Sequence, residues 1–136
     1  MSDKYKNQLK IVIKHFPLKS HKFARKSAQA SLAAHKQGKF WEFHTKLFEN
    51  YQSINDDKIV QIAEELKLDI DKFKSDMNLP EIQRIINRDI QNGWKIGVKG
   101  TPTIFINGKR AALRNPAKFI KKIDSEIKKM TKSPDK

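Results

Sequence analysis

A chain of this size could do chemistry through thiolates, imidazoles, hydroxyls or paired carboxylates, and the first of these is absent. The 136 residues contain no cysteine. That removes disulfides, thiolate nucleophiles and thiolate-ligated metal from this polypeptide. Four histidines remain as candidates for metal binding or proton transfer: His15, His21, His35 and His44. No two of them form a His-x-x-x-His pair on one helix, so the spacing that brings two ligands to one face is missing and no metal is expected. His44 lies in an aromatic run and reads as a residue of the core or its border. Glu64, Glu65, Asp69, Asp71 and Asp76 are spaced as helix caps and surface charges, and nothing sets a carboxylate pair to general acid–base work. The chain has no glycine-rich phosphate loop, no RNP-type run and no zinc-finger spacing, so no cofactor is expected and nucleic acid is disfavoured as a partner.

Charge is the other property that bears on partners. Lysine and arginine total 29 against 15 acids, a net charge of +14. The excess sits at the two ends: +9 over residues 1–46 and +8 over 98–136, with −3 between them. Such a field attracts nucleic acid, anionic surfaces or an acidic partner, and it also keeps a small protein in solution. A basic adaptor is therefore the alternative reading. The first residues carry no apolar stretch of signal-peptide type, and no apolar run is long enough to span a membrane. A cytoplasmic location is the expectation if Met1 is the true start.

The elements that must position these residues follow from periodicity. Ile11-Val12-Ile13, closed by Pro17, reads as a buried strand over about 11–16. From Ser20 the spacing becomes helical, with Phe23, Ser27, Ala30 and Ala34 on one face and Gly38 as the stop. A second helix carries Phe40, Phe43, His44, Leu47 and Tyr51, with Trp41 and Phe48 widening the stripe; core packing explains these aromatics better than a stacking platform for bases. Asn55 or Asp56 caps a third helix through Ile59, Ile62 and Leu66, and Asp69 caps a fourth through Phe73 and Met77. Pro80 opens a fifth, which runs through Ile82, Ile86 and Ile90 to Trp94 and stops at Gly97. Residues 102–106 read as a strand, Asn107-Gly108 as a type I′ turn and Lys109–Leu113 as the return strand. Asn115-Pro116 opens a last helix through Ile120, Ile123 and Ile127, its lysines 118, 121, 122, 128, 129 and 132 forming a solvated face. The fold class is α/β: one domain over 1–130 with about three strands and about six helices, a helical insert over about 20–97, and a polar tail at 131–136.

Three stretches carry a resemblance. IKHFPL at 13–18 with His21 and the alanine-rich helix resembles the segment after the active-site helix of DsbA-like thiol–disulfide oxidoreductases, which have a thioredoxin fold. QGKFWEFHTKLFEN at 37–50 resembles that family's helical insert. GVKGTPTIFINGKR at 97–110 resembles its proline loop and hairpin. The resemblance implies a strand and a Cys-x-x-Cys helix ahead of Ile11. Only ten residues stand there, against the ~25 or more that a strand and a helix need. The expectation is thus a truncated thioredoxin-like fold that cannot exchange disulfides as this chain, either a fragment or a degenerate binding or scaffold paralogue. Family members are otherwise typically periplasmic or extracytoplasmic.

The resemblance also implies a site. Pro102 matches the family's cis-proline, and with Thr101 and Thr103 it would present backbone groups to an extended peptide; without cysteines, a turn that only preserves the fold is the leading reading of Pro102. Losing a central strand would leave two open edges. Either the strands at 11–16 and 102–106 pair directly, or a second chain completes the sheet, and a homodimer through the uncovered sheet region is expected.

Overall fold

The computed structural model describes residues 9–100, 103–111 and 116–131. Six α-helices and two strands occur in the order α1 (Ala24–His35), α2 (Phe40–Glu49), α3 (Asp56–Glu65), α4 (Ile70–Met77), α5 (Pro80–Lys95), β1 (Ile104–Ile106), β2 (Lys109–Ala111) and α6 (Pro116–Thr131), with a 3-10 turn at Tyr51–Ser53. The chain divides into two compact units: Lys14–Lys99, and the described parts of Met1–Ile13 and Gly100–Lys136. Among the described residues no helix is long and apolar enough to cross a membrane.

The helical unit is organised by α1. Its inward face is almost all small: Ala28, Ala30, Ser31, Ala33 and Ala34 are buried. Side chains that stop at Cβ let backbones approach closely, and α1 packs against α2, α4 and α5 at once. The bulk between them comes from the neighbours. Phe43 of α2 meets Phe73 of α4 with ring centroids 5.5 Å apart, and Ile59, Ile62, Ile82 and Ile86 fill the remainder. Ser31 is the one hydroxyl buried in this face, and it donates to the Ser27 carbonyl at 2.9 Å. The rim is tied by side chains. Arg25 donates to Gln83 and Asn87 of α5 at 2.7 and 2.9 Å. The Gln37 amide exchanges a pair of hydrogen bonds with the Asp69 backbone at the start of α4.

The caps lie where side-chain chemistry places them. The Asn55 side chain accepts from the Lys58 N–H at 2.7 Å, and Asp69 does the same for Lys72 at 3.1 Å. Three helices end in one motif. In α1 the N–H of Lys39 reaches the Ala34 carbonyl, in α3 that of Leu68 reaches Ala63, and in α5 that of Val98 reaches Gly93. Each needs a left-handed residue just before the donor. Gly38 and Gly97 fill that place with φ of 76° and 82°, but after α3 it is Lys67, with φ of 59°.

In the other unit β1 and β2 pair antiparallel, Ile104 opposite Ala111 and Ile106 opposite Lys109. The turn between them is Asn107 and Gly108, with φ of 48° and 81°. That pair of positive angles belongs to a type I′ turn, whose twist matches that of the strands. Asn107 donates to Glu126 of α6 at 3.3 Å, and Ile123 is buried.

The strand read at 11–16 is corrected. Residues 9–18 form no strand, Val12 is 64% exposed, and the only sheet among the described residues is β1–β2. Among the described residues the strand count is therefore two and not about three, and residues 11–16 do not pair with 103–106. The physical reason is pairing. A β-branched run has strand propensity, but its N–H and C=O groups become a strand only against a partner. The stripe on α2 is also corrected. Phe43 is fully buried, but Trp41 and Phe48 stand 50% and 66% exposed.

Lys67 gives the fold its test. A side chain in the left-handed region costs roughly 1 kcal/mol that glycine does not incur. Lys67→Gly is expected to raise unfolding stability in urea by about 0.5 kcal/mol or more, whereas glycine at an exposed position inside a helix, such as Arg84 of α5, lowers it by up to ~1 kcal/mol.

Candidate functional site

Two places in the chain gather groups with chemical potential, one in each unit. The first is the loop before β1. Thr103 is half-buried, and its hydroxyl donates to the Gly100 carbonyl at 2.6 Å. That bond closes the loop on itself and leaves the threonine oxygen as an acceptor. Thr101 and Pro102 lie outside the described residues. Beyond the loop, Phe105 faces outward on β1, and the Arg110 guanidinium lies 5.8 Å from its ring centroid, a cation–π distance.

The second place is where residues 14–16 cross α5. Asp89 of α5 is 4% exposed and is engaged by three neighbours. It accepts the backbone N–H of His15 at 3.1 Å, and Lys14 and Arg88 approach it at 3.7 and 3.2 Å. A buried carboxylate persists where cations and N–H groups replace the water it loses. One turn further on, Phe16 lies against Gly93 so closely that a Cβ there would stand 2.8 Å from two of its ring atoms. Gly93 lies in the last turn of α5, still inside the helix, where glycine is a poor choice for stability; close approach of an aromatic ring is the reason for it.

His15 also faces α2. Its ring meets Phe40 edge-on at 6.2 Å, and Phe40 stacks on His44 at 5.7 Å. His35 of α1 meets the same phenylalanine at 6.1 Å. His44 continues to Trp41 at 6.0 Å and Phe48 at 4.7 Å. Three of the four histidines thus border one aromatic cluster, and His21 is exposed on its own. Burial holds the His15 imidazole below its ordinary range; the Asp89 carboxylate pulls it up and the neighbouring His44 pushes it down. Burial lowers His44 as well. Among the described residues no group of three or more His, Asp or Glu side chains is arranged to hold a metal.

Of the residues singled out from the sequence, Thr103 alone of the loop triad is described, and His44, read there as a residue of the core or its border, is brought to the same phenylalanine as His15. Asp89 was missed. Its only signal was an acidic residue on the apolar side of a helix, three positions after Ile86 and one before Ile90.

The hairpin followed by a helix, with a helical unit ahead of it, is the mixed α/β arrangement of a thioredoxin-type domain lacking part of its sheet. A family profile described as "DSBA-like thioredoxin domain" matches residues 1–128. The chain belongs to the DSBA-like thioredoxin domain family. It is 32% identical over 113 residues to a probable disulfide bond formation protein D of Bacillus cereus, covering 75% of this chain and 51% of that protein. It is 34% identical over 103 residues to a Na(+)/H(+) antiporter NhaA 3 of Salinispora tropica, covering 75% of this chain. An NhaA antiporter of Herminiimonas arsenicoxydans is 31% identical over 104 residues. The chain spans 16% of the length of each of these two antiporters. No solved structure matches.

A double-mutant cycle tests the contact on α5. Alanine at Gly93 gains helix propensity but drives a Cβ into the Phe16 ring. Gly93→Ala alone is expected to lower stability by about 1–2 kcal/mol. In a Phe16→Ala background the same change is expected to raise it by roughly 0.5–1 kcal/mol. Urea denaturation of the four proteins gives the cycle.

Proposed function

We propose that this chain is a binding or scaffold module on a DsbA-like fold and that it does not exchange disulfides by itself. One observation carries the reading: the family match runs over residues 1–128 of a sequence without a single cysteine. Exchange needs a thiolate to attack a sulfur and a second thiol to resolve the mixed disulfide. This polypeptide supplies neither, and the part of the fold that it does supply is suited to holding a partner.

The partner-facing groups are the loop Thr101, Pro102 and Thr103 and the strand that follows. The loop offers backbone N–H and C=O groups to an extended peptide, and β1 pairs on one side only among the described residues. A two-stranded hairpin is marginal alone, and an open edge accepts a further strand. Exposure of Ile11, Val12 and Phe105 supports a second copy of the chain as one such partner, giving a homodimer through the uncovered sheet region. The net charge of +14 supports the runner-up, a basic adaptor for nucleic acid or an anionic surface, to which the exposed Lys121, Lys128 and Lys129 of α6 would contribute. Ion transport forms no part of the reading, since the match covers only 16% of the length of each antiporter.

Three measurements on the purified chain test this. In dithiothreitol-driven insulin reduction it is expected to give no rate above buffer. An unfolded fluorescent peptide is expected to bind with an affinity that holds from low to high salt and weakens about tenfold in Pro102→Ala. Binding that falls steeply with salt would transfer the function to the basic adaptor, and an unchanged affinity in Pro102→Ala would remove the loop from the site. Light scattering is expected to show dimers; monomer throughout the micromolar range would end the homodimer.

A further inference from the structure

We propose that residues 14–16 form an acid-released strap, held across α5 at neutral pH and let go when His15 and His44 become charged. The strap has three fastenings. Lys14 and the His15 backbone N–H both engage the buried Asp89, and the Phe16 ring sits on the bare Cα of Gly93. Between the first and third fastening, the His15 side chain points to the aromatic cluster of α2, with Phe40 between it and His44.

The groups that face His15 decide how it answers a proton. From α5 there is Asp89, itself shared with Arg88 and Lys14. From α2 there is His44, and from α1 there is His35 on the same phenylalanine. Asp89 favours a charged His15, but its charge is already divided among two cations and a backbone N–H. Burial and His44 oppose it, and burial is the largest influence. A second charge on His44 lands among the rings of Phe40, Trp41 and Phe48, where burial opposes it.

The sign of the linkage follows. Both imidazoles sit below the ordinary value of 6.5 when the strap is closed and regain it when the strap is open. The open form therefore binds more protons, and closing is favoured fully above that ordinary value. The advantage is lost as pH falls through the lower values of the closed form. The helical core has no part in this: Ile59, Ile62, Ala63 and Phe73 contain no titratable group and lie at 2% exposure or less. Release is thus local, an opening of one segment below the free energy of global unfolding. What it uncovers is the Asp89 carboxylate, the Gly93 surface of α5 and the Phe40 edge of α2.

Hydrogen exchange read by mass spectrometry on the full chain tests this. After correction for intrinsic rates, amides of 14–18 are expected to exchange at least about tenfold faster at about pH 5 than at about pH 7.5, while amides of α3 and α4 keep their protection. His44→Phe retains a ring on Phe40 without a proton site and is expected to move the midpoint to lower pH. The His15→Gln, His44→Phe double variant is expected to flatten the profile. Rates at 14–18 that are equal at the two pH values overturn the strap. So does a rise shared by all of the helical unit, which is acid unfolding. Release that persists unchanged in the double variant also overturns it, because the two imidazoles are then not its cause.

Discussion

Close approach to α1 is the constraint on which the helical unit depends. Three helices lie against one alanine-lined face, and each could be displaced by a single methylene. The volume that a core needs is supplied by the partners, Phe43 and Phe73 above all, while α1 contributes flatness. Dense packing without voids gives such a surface its hold, since dispersion between well-matched groups is summed over many contacts. Polar ties at the rim, Arg25 to α5 and Gln37 to the start of α4, then fix how the neighbours are rotated on that surface. The register of α5 sets the position of Asp89 and Gly93, and so the course of residues 14–16 follows from the same packing.

Two different economies operate in the two units. The helical unit satisfies itself: among the described residues no buried side-chain nitrogen or oxygen lacks a partner, and its core is closed around α1. The terminal unit has a two-stranded sheet, a type I′ turn and an outward Phe105, with an apolar run at Ile11–Ile13 that has strand composition and no strand to join. A sheet strand is defined by its neighbour, a helix by its own hydrogen bonds, which is why one half of this chain is complete and the other offers edges. The absence of cysteine leaves both units of this polypeptide without a thiolate of their own.

How much of this was legible beforehand follows the same line. Helices were readable because their periodicity is local: Asn55 and Asp69 cap the helices they precede, Pro80 opens α5, and Asn107-Gly108 turns the hairpin. The strand at 11–16 was misread for the opposite reason, since Ile-Val-Ile records propensity and contains nothing about whether a pairing strand exists. Trp41 and Phe48 widen the stripe that contains Phe43, and periodicity does not say which side of an aromatic helix faces inward when both sides are apolar. Of the triad Thr101-Pro102-Thr103, read from its pattern, Thr103 alone is described, with its hydroxyl turned to the Gly100 carbonyl. Asp89 was illegible because its partner is a backbone N–H 74 positions away, and backbone groups carry no letter in a sequence.

The alanine face also determines how the protein would respond to mutation at large. Most globular cores are sensitive to truncation, so scanning with alanine finds them. Here Ala28, Ala30, Ala33 and Ala34 are already at that endpoint, and such a scan passes over the most tightly constrained surface in the molecule without registering it. Tolerance at these positions runs by volume in one direction only. Glycine loosens the helix, anything larger than alanine separates it from a neighbour, and drift in this stretch of sequence falls to positions such as the exposed Lys26 and the part-exposed Gln29 between the alanines.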